Sequence, residues 1–201
     1  MSNFTPSYTA PAQNDPLWVM TEAGGYNDCI PGAWPGYISN YPCVLPNCTG
    51  YVHGRAMEIA GVTTDNLGLS FGNAYQYWTD TSADWIRDSE PSLGAIGVFG
   101  SVGGPSPGHV YVVEEIVDAD TIVISQSDYA IEYFSSLTVT RQNGWDRYGE
   151  EYVYFMGFLR NPYVTPEPVK KNSNIFLLMS KYRRSAKENA NKRFIKRYAA
   201  G

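Results

Sequence analysis

The hydrophobic pattern changes period once, near Leu93, and that change limits what the chain can fold into. Before it, the recurring apolar residues stand at helical steps, as Val52, Ala56 and Ile59 do between the cap Asn47 and the stop Gly61. Asn14-Asp15-Pro16 carries the signal of a second helix, ending at Gly24-Gly25, and Gly72-Asn73 caps a short third one through Tyr77 and Trp78. Residues 26–47 read as an irregular loop rich in Gly, Pro and aromatics. Beyond Leu93 the period is that of strands, over Leu93–Gly100, His109–Val117, Thr121–Ser127, Leu137–Thr140 and Tyr152–Arg160. Helices first and antiparallel strands afterwards predict an α+β fold, N-terminal helices packed on an antiparallel β-sheet.

Around that body, at residues 14–162, the sequence places a disordered lead (1–13), a linker (163–173) and a basic C-terminal helix (174–201). The last carries Ile175, Leu178, Tyr182, Ala186, Ala190, Phe194 and Tyr198 at steps of three or four. The net charge of −5 over 201 residues hides a split. Residues 1–169 hold five basic and nineteen acidic side chains, a net of −14, while residues 170–201 hold ten and one, a net of +9. Such a tail suits an acidic partner or surface. No apolar run approaches the roughly 18 residues that a membrane span needs. Met1 to Pro16 lacks the basic and apolar regions of a secretion signal, so action outside a cell would need another route of delivery.

Three cysteines and two histidines, with no CxxC, exclude the common zinc patterns, and no metal or cofactor is expected. Cys29 and Cys43 can pair and leave Cys48 as a thiol, or all three can stay reduced. Cys48 follows Pro46-Asn47 and opens a helix. There the dipole and the unsatisfied N–H groups of the first turn favour thiolate, lowering such pKa values to roughly 3.5–7.5 from about 8.5.

A thiolate nucleophile needs a base. His53 lies five residues on, about 140° around the same helix, and points elsewhere; a packing role is expected. His109 opens a strand after Pro107-Gly108, which is the papain arrangement of a base on a strand facing a nucleophile on a helix. A symmetric turn at Val117–Asp120 sets Ile116 opposite Thr121 and Asp128 opposite His109, with Gln126 one diagonal step away. Either side chain could accept from the imidazole, provided that the register holds.

The segments PNCTGYVHGR, GNAYQYW, LGAIGVFG, GHVYVVEEI and ISQSDY, in that order, resemble the CHAP domain, the cysteine, histidine-dependent amidohydrolase/peptidase module. The resemblance covers roughly Asn14 to Pro162 and is strongest to phage endolysins and tail-associated wall hydrolases of Gram-positive hosts. It implies a papain-like α+β fold and cleavage of amide bonds in peptidoglycan, as an N-acetylmuramoyl-L-alanine amidase or a stem or cross-bridge endopeptidase. Cys48 falls on the family's nucleophile and His109 on its base. Gln126 stands where the family commonly has Glu, and Asp128 where it often has Asn, so both remain candidate orienters. Residues 36–47 hold no acidic side chain, and the calcium site of some relatives is not expected.

Asn47 is a candidate oxyanion donor besides its capping role, and Tyr51, Trp78 and Tyr129 are candidate walls of a substrate groove. The implied setting is phage-encoded, acting on the bacterial wall from the lysing cytoplasm or from the virion. Partners would be peptidoglycan and, through the basic helix, other phage tail proteins or a wall-binding domain, with no nucleic acid involved. A catalytically idle CHAP-like piece of a phage tail is the alternative, and a papain-like protease of proteins a further one.

Overall fold

The computed structural model describes residues 4–20, 43–63, 66–103, 107–146 and 153–165. The chain divides into two compact units, Met1–Pro166 and Glu167–Gly201. The second unit, most of the expected linker and the expected basic helix lie outside the described residues. The first unit is α+β, as the change of period predicts. Its strands are β1 (Trp18–Met20), β2 (Cys43–Leu45), β3 (Ile86–Asp88), β4 (Ile96–Ser101), β5 (His109–Ile116), β6 (Thr121–Asp128), β7 (Glu132–Thr140) and β8 (Val153–Arg160). Its helices are α1 (Cys48–Ala60) and α2 (Gln76–Asp80). None is long and apolar enough to cross a membrane.

Strands β3 to β8 form one antiparallel sheet in the order β3-β8-β4-β5-β6-β7, and β1 pairs with β2 in parallel. Alternation divides the sheet's side chains between two cores. Ile96, Val98, Val110, Val112 and Leu159 pack with Val52, Ala56 and Met57 of α1. Phe99, Tyr111, Val113, Ile122, Ile124 and Phe158 fill the opposite face.

Helix α1 is buried on all sides from Cys48 through Met57, and not along a single stripe. Two glycines are the reason. A Cβ on Gly50 would stand 2.1 Å from the Val44 carbonyl oxygen, and one on Gly54 would stand 2.3 Å from the Trp18 ring. Their bare faces let β1 and β2 lie directly against the helix, while the sheet covers another side. Asn47 caps the helix with its side chain, and Gly61 closes it at φ 68°, as read from the sequence.

Several sequence expectations change: β2 lies within the stretch read as irregular loop, β3 falls where no strand is expected, and β7 starts at Glu132 and not at Leu137. The helix expected from Asn14 is strand β1: Asp15 Oδ1 accepts from Leu17 N–H at 2.9 Å, and this turn sends the chain out extended. Its remaining length to Gly24-Gly25 lies outside the described residues. Within the expected disordered lead, residues 4–9 are held down. Thr5 O accepts from Arg55 Nη2 at 2.6 Å, and Ser7 N–H donates to Glu114 Oε2 at 2.8 Å. Finally, Ile116 pairs with Ile122 rather than Thr121, because β5 holds one extra residue, Glu114, between Val113 and Glu115. Past the bulge, Val113↔Ile124 and Val112↔Ser125 fall into the expected register.

The glycine contacts have a direct test. Gly50→Ala meets backbone that cannot step aside, and should lower stability by about 3 kcal/mol. Gly61→Ala meets nothing within 4 Å and pays only for its left-handed backbone, about 1 kcal/mol. Urea denaturation of both variants checks the order, and equal losses would contradict it.

Candidate active site

Cys48 is the first residue of α1, 8 % exposed, and lies outside any disulfide, whereas Cys43 is disulfide-bonded. Cys29 lies outside the described residues. The cap that presents Cys48 is built by Asn47, whose Oδ1 accepts from Thr49 N–H (2.9 Å), Thr49 Oγ1 (2.8 Å) and Gly50 N–H (3.4 Å). Its own N–H donates to Ser127 Oγ at 2.9 Å, which ties the start of the helix to β6. The oxygen of the Asn47 amide is thus committed to the cap, and its nitrogen can act only as a donor.

Asn47, Cys48 and Thr49 line a cavity of about 180 Å³ with Asn73, Ala74, Pro107 and Tyr129. Pro107 reaches it because the chain turns sharply at Gly108, where φ is 87° and a Cβ would lie 2.2 Å from Phe99 O. Only glycine is at ease there. Tyr75 N–H donates to Pro107 O at 3.3 Å, holding this turn against the residues that lead into α2. The same turn delivers His109 to the head of β5. From the β6–β7 turn, Ala130 N–H donates to Pro46 O at 3.3 Å, and the neighbouring Tyr129 stands half exposed at the cavity.

His109 is 4 % exposed, and its Nε2 lies 2.9 Å from Gln126 Oε1. A carbonyl oxygen facing Nε2 suits the tautomer protonated there, in which Nδ1 can act as a base. Gln126 is itself buried and fixed, since its Nε2 donates to Ser135 Oγ at 3.2 Å. Of the two candidate orienters, Gln126 therefore holds the Nε2 side of the ring. Asp128, at the end of β6, pairs with Glu132 across the turn, and its carbonyl accepts from Ile131 N–H at 3.1 Å.

The aromatic candidates separate. Tyr129 is at the cavity. Tyr51 is 1 % exposed, stacked on Trp18 at 6.2 Å and edge-on to Phe134 at 5.7 Å. Burial pushes its hydroxyl pKa far above the usual value. It is a core residue, not a groove wall, because β1 covers that side of the helix. Trp78 is half-buried against Gly157 of β8, whose added Cβ would fall 2.6 Å from the Trp78 ring. His53 is buried, with Nδ1 2.6 Å from the Tyr77 hydroxyl and its ring stacked on Phe71 at 5.0 Å. Ser127 and Ser135 escaped the sequence reading. The alternating Ser125-Gln126-Ser127 was the available signal, since buried hydroxyls on a strand need partners.

Replacing the neutral amide by a charge changes the imidazole predictably. In Gln126→Glu the carboxylate favours imidazolium, so His109 should hold its proton to a pH about one unit or more higher than in the parent. With only two histidines, NMR titration of the ring C–H signals reads this directly. An unchanged midpoint would mean that residue 126 does not hold the ring in solution.

Residues 36–128 match the family model of the CHAP domain. Among solved structures, that of an N-acetylmuramoyl-L-alanine amidase from Staphylococcus aureus is similar over 58 % of this chain, at 26 % identity and a TM-score of 0.40. The match spans 31 % of that chain, so this protein corresponds to under a third of its length. No curated protein matches the chain significantly.

Proposed function

We propose that this CHAP domain hydrolyses amide bonds of peptidoglycan by cysteine nucleophilic catalysis, in the manner of a phage lysin acting on Gram-positive walls. One observation carries the reading. A thiol on a helix N-terminus opens into a cavity whose wall includes Pro107, and two residues later the chain presents a histidine whose Nε2 is held by Gln126.

In the proposed cycle the Cys48 thiol gives its proton to His109 Nδ1, and Sγ attacks the scissile carbonyl carbon. The helix dipole and the ring share the stabilisation of thiolate and imidazolium, as Gln126 orients the ring but adds no charge. The oxyanion lies at the start of α1, with the Cys48 N–H and the Asn47 amide as candidate donors. Imidazolium then protonates the leaving amine as the C–N bond breaks, leaving a thioester on Cys48. A water molecule, deprotonated by His109, attacks the thioester, releasing the carboxylate and restoring the thiol. Muramoyl–L-alanine amides and peptide bonds of the stem or cross-bridge share this chemistry. Tyr129, at the cavity's edge, is placed to stack against the substrate beside the scissile bond. The +9 segment suits docking on an acidic surface, either of the wall or of a companion phage protein.

Dye-labelled sacculi from several Gram-positive hosts test the proposal. The parent protein should release soluble dye, and Cys48→Ala and His109→Ala should release at least about 10³-fold less per unit time. Mass spectrometry of the supernatant then names the bond. If no host's wall yields dye with the parent protein, the idle structural reading takes its place. Digestion of casein in the absence of wall digestion would point to a protease of proteins.

A further inference from the structure

Glu114 of β5 is fully buried, and helix α1, strand β6 and the N-terminal segment converge on its carboxylate. Arg55 of α1 donates from Nε to Oε1 at 3.0 Å and from Nη2 to Oε2 at 2.8 Å. Ser125 Oγ of β6 donates to Oε1 at 2.6 Å, and Ser7 N–H donates to Oε2 at 2.8 Å. Each element carries one residue of the candidate site. Arg55 stands seven residues after Cys48, about two helical turns. Glu114 stands five residues after His109 on β5, and Ser125 immediately precedes Gln126.

The bulge gives Glu114 this place. As the extra residue of β5, it lies outside the ladder and is buried against α1, while Val113 and Val112 keep the register that leads back to His109. Residues 4–9 close the cluster from the other side. Thr5 O accepts from Arg55 Nη2, the Phe4 ring lies 5.4 Å from the guanidinium carbon, and Tyr8 OH donates to Glu115 Oε2 at 2.8 Å. Arg55 also donates from Nη1 to Glu58 Oε2 at 2.5 Å. Burial works against its charge, and the bonds and charge of Glu114 outweigh this, so its pKa is raised.

A buried ion pair is a poor way to gain stability, because apolar residues of the same volume often hold a fold as well or better. Its distinguishing property is geometric. A bidentate guanidinium–carboxylate pair tolerates little displacement, since a small shift strands a charge in low dielectric. We propose that Arg55 and Glu114 are positioning residues, their pair setting the placement of Cys48 relative to His109 and Gln126, with residues 4–9 as a strap that keeps the pair dry. This rests on the reading of Cys48 and His109 as the catalytic pair.

The decisive comparison is between breaking the pair and replacing it. Glu114→Gln should lower kcat on sacculi about tenfold or more with KM within twofold. It should also move the pH profile of Cys48 alkylation by iodoacetamide toward that of an ordinary thiol, near pH 8.5. Arg55→Lys, which keeps the charge and loses the fork, should shift both readouts the same way by a smaller factor. The double variant Arg55→Met/Glu114→Leu strands no charge, so it should melt at or above the parent temperature while kcat and the alkylation profile stay impaired. Recovery of parental kcat and profile together with stability would overturn the proposal. A double variant that does not fold would also overturn it, because the pair would then serve the fold and not the site. If the parent releases no dye from any wall, the hydrolase reading fails by itself, and the alkylation profiles still report the geometry.

Discussion

A carboxylate sealed inside the protein has to be matched in charge and in hydrogen bonds, and at Glu114 that requirement draws helix α1, strands β5 and β6 and the N-terminal segment to one point. The extra residue in β5 is what frees the side chain to turn inward. It shifts the ladder by one residue, from Ile116↔Ile122 to Val113↔Ile124, and so sets which face of β6 meets β5 on the His109 side. Charge neutralisation and strand register are thus coupled in a single place, under the helix that bears Cys48.

The other constraint on that helix is steric. Gly50 and Gly54 remove the side chains that would hold β1 and β2 away, and the backbone of Val44 comes against the helix's first turn. Together with the bond from Asn47 N–H to Ser127 Oγ, this holds the first turn of α1 between the small sheet and β6. A rigid N-terminus suits electrostatic work, because N–H groups that do not reorganise stabilise developing negative charge best. The orienter fits the same economy of charge. A neutral amide at 126 holds the imidazole without adding a charge beside it.

Much of this was legible in the chain. Strands β4, β5, β6 and β8 fall within three residues of the stretches whose period marks them, while β7 starts five residues before the expected Leu137, and Asn47 and Gly61 mark the ends of α1 by their chemistry. Asp15-Pro16 was misleading because the same residues open either a helix or an Asx turn, and the decision rests on the parallel pairing with Cys43–Leu45, remote in sequence. Tyr51 looked like a groove wall because it is close to Cys48 in sequence, and what buries it is Trp18. The bulge at Glu114 has no local signature in Val113-Glu114-Glu115, where two acidic residues in a row read as a solvent-facing strand end. The anchoring of residues 4–9 was equally hidden, since composition reports disorder and the partners, Arg55 and Glu114, lie about 50 and 107 residues away. Gln126 and Asp128 could be ranked only once the ring's Nε2 contact was known.

We propose that the start of α1 and His109 together make Cys48 a thiolate near neutral pH. Ultraviolet absorbance at the thiolate band, taken as a difference from Cys48→Ala across pH 4–10, measures this in the resting protein. The expected result is a step well below the usual thiol midpoint of about 8.5, moved upward in His109→Ala. A single step near 8.5 in the parent protein, unmoved by removal of His109, would contradict it.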